Sequence, residues 1–135
     1  NLGGPEFFGK TPNSAKLMRM KRVVLNEVVK AMADMRKVID SNNFEFYIFS
    51  SAYNIQSMLA NKLFMAKNKN LGVANVKDKI YVEIRCNEAG YFKKFEDSIA
   101  SIANELGGHD NAFGATISKE NFEEFLKRAK EVFVS

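Results

Sequence analysis

The segment whose residue types could do chemistry is Gly107-Gly108-His109, which is followed by Asp110-Asn111 and a run of small residues. Glycine lets backbone approach a ligand closely and can adopt positive φ, so exposed N–H groups here could cradle a phosphate. The imidazole beside them could donate to a phosphate oxygen or stack on a base. On residue types alone, a structural turn explains this segment better, and a phosphate-binding loop is the alternative.

Other combinations of reactive residues are poor candidates for a site. His109 is the only histidine and Cys86 the only cysteine, so no zinc-ligand spacing exists. A Cys–His nucleophile pair is conceivable, but Cys86 falls on the apolar face of a predicted strand and is expected in the core. The clustered carboxylates needed to hold a catalytic pair of metal ions are not visible. We therefore expect no catalytic and no metal-binding residues in this chain.

Composition indicates one soluble globular domain. The chain has 135 residues, with 46% hydrophobic and 27% charged residues, which is ordinary for a domain with a single core. It has neither an apolar run of the roughly 20 residues that cross a bilayer nor a basic leader followed by an apolar stretch. One cysteine excludes an internal disulfide and fits a reducing compartment, so a cytoplasmic location without a membrane partner is expected.

Charge is distributed unevenly along the chain. The net charge is +4, but the part through Cys86 carries 14 Lys and Arg against 7 Asp and Glu, whereas the rest carries 6 against 9. A basic half beside an acidic half favours a phosphate-rich partner on one face. Lysine-rich helices that keep the domain soluble are an equally good explanation.

The N-terminal third is predicted to be a linker followed by a long helix. Residues 1–13 resemble a cloning tag or linker, and we exclude them from fold reasoning. Apolar residues then recur in steps of three and four from Leu17 to Ile39, which predicts a basic amphipathic linker helix over 14–41. The remaining residues, 42–135, are predicted to form the functional domain.

Hydrophobic periodicity within that domain predicts an α/β (α+β) fold, in which a small mixed sheet is flanked by helices. Strands are predicted at Phe44–Ser50, Leu71–Val76, Ile80–Cys86 and Ala112–Ile117, and helices at Asn54–Ala66, at Phe92–Leu106 and after Ser118. Gly107 is expected to end the second of these helices. The predicted order is α-β-α-β-β-α-β-α, with one sheet face left partly open.

The run from Gly107 to Ala115 resembles the signature of the DHH-associated domain, type 1, of RecJ-like DHH-family phosphoesterases of the archaeal type. That pattern is a glycine pair, His, two variable residues and then Ala-Ala-Gly-Ala. Here the run is Gly-Gly-His-Asp-Asn-Ala-Phe-Gly-Ala, after a strand ending at Arg85. The resemblance spans about Glu45 to Phe133 and accounts for the preceding helix, which connects two domains in RecJ-like enzymes.

The resemblance implies an accessory domain that holds nucleic acid or a nucleotide against a separate catalytic DHH domain. That catalytic domain would carry manganese or magnesium, and the parent protein would be a single-strand exonuclease or related phosphoesterase. The expected phosphate- or substrate-binding residues are Arg85, Gly107, Gly108, His109, Asn111 and Gly114. Expected partners are single-stranded DNA or RNA or short nucleotides, the DHH domain and replication proteins.

Two departures from the pattern bear on the expected site. Phe113 stands where the family has Ala, which predicts a bulky ring in the thin part of the loop. Cys86 follows Arg85 where RecJ relatives commonly carry Ser, so a hydroxyl contact is missing. Either departure is consistent with an altered substrate preference or a degenerate paralogue.

Two other functions fit the same resemblance. One is the C-terminal tRNA-binding and dimerisation domain of an alanyl-tRNA synthetase, although those proteins usually have a longer glycine run. The other is a docking module in a replication complex. The sequence leaves open whether the substrate is DNA, RNA or a cyclic dinucleotide, and it leaves the cleavage polarity open as well.

Overall fold

A computed structural model describes residues 12–134. Residues 1–11 of the predicted tag or linker (1–13) lie outside them, and residues 12–13 belong to the first helix. The elements are α1 (Pro12–Asp34), β1 (Arg36–Asp40), β2 (Glu45–Phe49), α2 (Gln56–Lys67), β3 (Leu71–Val76), β4 (Ile80–Arg85), α3 (Tyr91–Ile99), β5 (Ala103–His109), β6 (Ala112–Ile117) and α4 (Phe122–Phe133), with a 3₁₀ turn at Lys119–Asn121. The predicted fold class, a mixed sheet flanked by helices, is confirmed.

The six strands form one sheet in the order β1-β2-β3-β4-β6-β5. Strands β2 and β3 are parallel, and α2 makes the crossover that a parallel pair requires. The other neighbouring pairs are antiparallel. The antiparallel pairing of β4, β6 and β5 builds the half of the sheet that contains the glycine segment.

Each sheet face packs on a different pair of helices. On one face, α3 and α4 cover a core rich in phenylalanine, which includes Phe95, Phe125 and Phe133. On the other face, α1 and α2 pack on β2 and β3 through residues such as Val28 and Leu59. The second pair does not extend over β6 and β5, so that part of the sheet is open on one side, as the sequence predicts.

The predicted helix over 14–41 is wrong at its C-terminal end. Helix α1 ends at Asp34, and residues 36–40 form β1, which pairs with β2. Ile39 continues the helical spacing, but its neighbour Val38 is also β-branched, and such residues suit a strand at least as well. Pairing with β2 decides between the two structures. Among residues 12–134, no helix combines the length and apolar character that crossing a bilayer requires.

The predicted helix over Phe92–Leu106 is also wrong in its second half. Helix α3 ends at Ile99, and Ala103–His109 forms the edge strand β5. The glycine pair therefore lies within a strand that pairs with β6, and Gly107 does not end a helix. Glycine is a poor helix former, so the glycine pair weakens any helix that would continue past Leu106. Hydrogen bonding to β6 therefore outweighs the helical spacing of the apolar residues.

Phe113 is another residue whose predicted position is corrected. Its ring does not thicken the glycine segment, because Phe113 is only 2% exposed and faces α3 and α4. It packs 5.0 Å from the Phe95 ring centroid and 5.2 Å from that of Phe92. Cys86 is buried in the same core, as predicted from its place on the apolar face of the strand.

Candidate functional site

The open half of the sheet forms a three-by-three grid of residues over β4, β6 and β5. Strand register gives three rows across these strands: Arg85, Ala112 and His109; Glu83, Gly114 and Gly107; and Tyr81, Thr116 and Glu105. Neighbouring strands are about 4.8 Å apart and successive rows about 6.7 Å apart. The grid is thus about 13 Å long, which is the scale of a nucleotide.

The middle row lacks side chains on β6 and β5, and this creates a cavity of about 500 Å³. A Cβ atom at Gly114 would lie 2.8 Å from Glu83 Oε2 and 2.5 Å from the Val82 carbonyl oxygen, so only glycine fits there. A Cβ atom at Gly107 would meet nothing within 4 Å. The floor is therefore bare backbone at Gly107, which a flat ligand can approach closely, whereas the Glu83 carboxylate lies against Gly114.

Arg85 supplies a fixed cation at one end of the cavity. Its side chain is 11% exposed, and its Nε donates a 2.8 Å hydrogen bond to Asn61 Oδ1 on α2. Its Nη1 donates to Glu83 Oε1 and to the Ile84 carbonyl oxygen, both at 2.9 Å. Within residues 12–134, Nη2 has no hydrogen-bond acceptor, so one end of the guanidinium remains available to a ligand.

Hydrogen-bond acceptors and amides line the opposite end. Glu105 Oε1 accepts a 3.3 Å hydrogen bond from Thr116 Oγ1, and its other oxygen remains able to accept. Gln56 Oε1 accepts from Asn75 Nδ2 at 3.1 Å, which leaves the Gln56 amide nitrogen as a donor. Such groups suit sugar hydroxyls and base edges, whereas the Arg85 end suits a phosphate.

The six predicted site residues divide into two groups. Arg85, Gly107, Gly108 and Gly114 all line the cavity. His109 lies opposite Ala112 at the end of β5, where it is exposed and outside the cavity lining. Asn111 also lies outside it.

Asn111 and Gly108 have structural roles that the sequence did not indicate. Asn111 Nδ2 donates to the Cys86 carbonyl oxygen, and the Asn111 carbonyl oxygen accepts from the Cys86 amide, both at 2.9 Å. These two bonds tie the β5–β6 turn to the end of β4. Gly108 has a φ of 133°, and a Cβ atom there would lie 2.6 Å from the Ala112 carbonyl oxygen. Only glycine is compatible with that backbone.

Sequence reasoning missed the contribution of α2. Asn61 and Gln56 look like ordinary polar residues on a helix surface, and no local pattern marks them. Their role arises because α2 crosses the sheet beside the cavity. Asn61 thereby contacts Arg85, from which it is separated by 24 residues in the sequence. Tyr81 and Glu105 could have been found by alternation along β4 and β5, had β5 been predicted as a strand.

The described residues do not supply a metal site. Nowhere in 12–134 do three His, Cys, Asp or Glu side chains converge in a way that could hold a metal ion. The carboxylates nearest the cavity, Glu83 and Glu105, are engaged by Arg85 and Thr116 respectively. The resemblance implies manganese or magnesium in a separate catalytic DHH domain, which stays a prediction.

The family model named DHHA1 domain matches residues 47–135, which is well over half of the chain. The chain belongs to the DHHA1 domain family. This confirms the predicted DHH-associated domain, and it places the cavity, α2 and the glycine segment inside the matched region. No curated protein matches this DHHA1 domain at a significant level.

Solved structures share the fold of this DHHA1 domain at low identity. CDC45 from Entamoeba histolytica has a TM-score of 0.63 and 13% identity, over 90% of this chain and 29% of its own. RecJ from Thermus thermophilus, in complex with Mg²⁺, has a TM-score of 0.60 and 13% identity, over 84% of this chain and 18% of its own. The C-Ala domain of Aquifex aeolicus alanyl-tRNA synthetase has a TM-score of 0.56 and 20% identity, over 75% of this chain and 100% of its own. The chain thus spans less than a third of the first two proteins.

Proposed function

We propose that this DHHA1 domain is a non-catalytic accessory domain that binds a nucleotide or the end of a single-stranded nucleic acid. The observation that carries the proposal is the bare backbone at Gly107, which lies in the cavity between Arg85 and the acceptor-rich row of Tyr81, Thr116 and Glu105. A phosphate has a preorganised guanidinium partner at one end, and close backbone approach is possible in the middle.

The ligand would lie along the strands. Its phosphate would contact Arg85, and its base or sugar would lie over Gly107, where a Cβ atom would meet nothing within 4 Å. The exposed imidazole of His109 is about two strand spacings from Arg85. It would contact the ligand from the rim of the cavity, at the end where the phosphate lies. Glu105 and Gln56 would receive and donate hydrogen bonds at the far end.

Helix α1 supports the accessory role, because much of its apolar surface has no cover in this domain. Its exposed large apolar side chains are Leu17, Met18, Met20, Val23, Leu25, Val29 and Met32. Patches of this kind mark interfaces with other protein surfaces. We infer that α1 packs on a catalytic DHH domain of the parent protein, where manganese or magnesium would be held by that domain's own Asp and His residues.

The parent protein would then be a metal-dependent phosphoesterase or single-strand nuclease, acting in the cytoplasm. The DHHA1 domain would contribute binding energy and orientation, since among residues 12–134 no group of side chains could hold a metal ion. Association with replication proteins stays a prediction.

The test is fluorescence anisotropy with 5′-labelled oligothymidylate and oligouridylate at two salt concentrations, using the 135-residue chain. We expect binding that weakens as salt rises, with a slope of about −0.7 in log K against log salt for each phosphate contact. Arg85→Gln should weaken it strongly. Absence of binding to either polymer and to mononucleotides at low salt would refute the proposed function.

The alanyl-tRNA synthetase alternative is favoured by one observation, namely that the fold of the C-Ala domain is matched along its whole length. It predicts that folded tRNA binds much more tightly than single strands and that the chain dimerises. Competition of unlabelled tRNA against labelled oligouridylate separates the two functions.

A further inference from the structure

A second cationic site lies beside the cavity, around the buried carboxylate of Glu45. Its side chain is 8% exposed, and three lysine Nζ atoms approach its oxygens: Lys69 at 2.9 Å, Lys67 at 3.3 Å and Lys37 at 3.4 Å. Tyr47 donates its hydroxyl hydrogen to the same carboxylate. We call these three lysines with Glu45 the lysine cluster.

The cluster has more positive charge and more donors than its carboxylates use. Three ammonium groups face Glu45 and the exposed Asp40, which lies 3.7 Å from Lys37 Nζ. One positive charge remains, and it matches the charge of a single phosphodiester. Each ammonium has three N–H donors and makes only one or two carboxylate contacts among residues 12–134. The lysine side chains are 24–37% exposed, so solvent or a ligand reaches them.

Glu45 also keeps the ammonium groups in place. Lys37 and Lys67 lie over the Tyr47 ring, with Nζ 5.6 Å and 5.9 Å from its centroid. A lysine on an exposed surface usually loses side-chain entropy when it binds an anion. Here the buried carboxylate and the ring have already restricted two of the three lysines, so less entropy remains to be lost.

The cluster is aligned with the phosphate end of the cavity. Glu45 pairs with Leu71 on β3, and Leu71 pairs with Arg85 on β4, so the three lie in one row of the sheet. Leu71 is fully buried beneath α2, so a strand that joins the two sites would pass over α2, whose last residue is Lys67. Two strand spacings separate Glu45 from Arg85, which is about 10 Å. One phosphate group is too small to contact Arg85 and the lysine cluster at once across that distance.

We propose that the lysine cluster is a second phosphate subsite, which holds the backbone of a single-stranded nucleic acid whose terminal nucleotide occupies the cavity. The proposal rests on the proposed function of the cavity. It makes the preferred ligand an oligonucleotide, because the single phosphate of a mononucleotide at Arg85 would not also contact Lys67 and Lys69.

The experiment compares Lys67→Gln/Lys69→Gln with Lys127→Gln/Lys130→Gln. The control pair removes the same charge from exposed positions of α4, on the opposite face of the sheet. Thymidine 5′-monophosphate and 5′-phosphorylated oligothymidylates of two, four and eight residues are titrated by calorimetry. Lys67→Arg/Lys69→Arg retains the charge and should restore binding if charge is what matters, and melting curves show whether each variant is folded.

We expect affinity to rise from the monophosphate to the octamer in the wild-type chain and in the control pair. The Gln pair should lose about tenfold in affinity for the octamer and less than about twofold for the monophosphate, with a smaller salt slope. Equal length dependence in folded Gln and control variants, with monophosphate binding intact, would overturn the lysine subsite and leave the cavity proposal standing. If monophosphate and oligomers both fail to bind, the proposed function itself is overturned.

Discussion

Asn61 on α2 and Arg85 on β4 are joined by a 2.8 Å hydrogen bond from Nε to Oδ1. Together with the bonds from Nη1 to Glu83 and to the Ile84 carbonyl oxygen, it restricts rotation of the guanidinium. The cation is therefore oriented before a ligand arrives, which lowers the entropy lost on binding. Asn61 is a positioning residue, since its effect on the ligand passes through Arg85.

Asn61→Ala should weaken mononucleotide binding several-fold, because Arg85 keeps its charge but loses one of the bonds that orient it. Arg85→Gln should cost more, about 1.5–3 kcal/mol, since it removes a charged hydrogen bond to phosphate. Calorimetric titration measures both, and Lys62→Ala, an exposed change on the same helix, is the control. A wild-type dissociation constant for Asn61→Ala would show that Asn61 does not position Arg85.

Gly107→Val should reduce ligand affinity without lowering the melting temperature. A Cβ atom there meets nothing within 4 Å, and a β-branched residue suits an edge strand. The added side chain would instead stand on the cavity floor and block approach to the backbone. Anisotropy and thermal melting on the same sample test this, and undiminished affinity would mean that the ligand does not use the floor.

Gly108→Ala should behave in the opposite way, because this position is constrained by the fold. Its φ of 133° is strained for any L-residue, and the new Cβ would overlap the Ala112 carbonyl and the Phe113 backbone. We expect a loss of about 1–3 kcal/mol or more in the free energy of unfolding, measured with urea. Any affinity change should follow the unfolded fraction. A stable Gly108→Ala protein would contradict the backbone assignment.

The predictable part of the fold is the part whose side chains alternate between core and open face. Along β4, Ile80, Val82 and Ile84 point to the phenylalanine core while Tyr81 and Glu83 line the cavity, and the sequence shows that period directly. Strand β5 lacks such a signal, since its residues are mostly exposed. Its conformation comes from pairing with β6, a tertiary interaction that outweighs the helical spacing before it.

The candidate site could be predicted only where its residues belong to a local sequence pattern. The glycines and Arg85 belong to a contiguous motif and the end of an alternating strand, so resemblance and pattern both reach them. Asn61 enters the site only because α2 lies across the sheet. His109, which the motif emphasises, is exposed at the strand end, and its part in binding stays a prediction.

Cys86 should be unreactive towards thiol reagents in the folded chain. Burial, and to a lesser extent the nearby Glu88 carboxylate, raise the pKa of its thiol to about 12, and only the thiolate attacks. Reaction with Ellman's reagent should be absent in native buffer and complete in guanidinium chloride. Rapid labelling of the native protein would show that Cys86 lies outside the core.

Glu45 makes stability depend on pH in the acid range. Burial alone would raise the pKa of this carboxyl, but hydrogen bonds from Tyr47, Lys69 and Lys67 outweigh burial and lower it to about 2. The ordinary value in an unfolded chain is 4.5. Because the folded pKa is the lower one, the stabilisation is fully present above pH 4.5 and is lost as the pH falls through 2. Its upper limit is about 3 kcal/mol, from about 1.36 kcal/mol per unit of pKa.

Glu45→Gln should therefore lower the free energy of unfolding at pH 7 and flatten its fall between about pH 4.5 and 2. The amide of Gln keeps a hydrogen-bonding oxygen but has no charge to attract the three ammonium groups. The variant also lacks the carboxyl group that titrates in this range. Urea unfolding at several pH values across the acid range and at neutral pH measures both effects. Glu131→Gln, an exposed carboxylate on α4, is the control and should keep the wild-type profile. A Glu45→Gln protein with that same profile would mean that the Glu45 carboxylate is not stabilised by the lysine cluster.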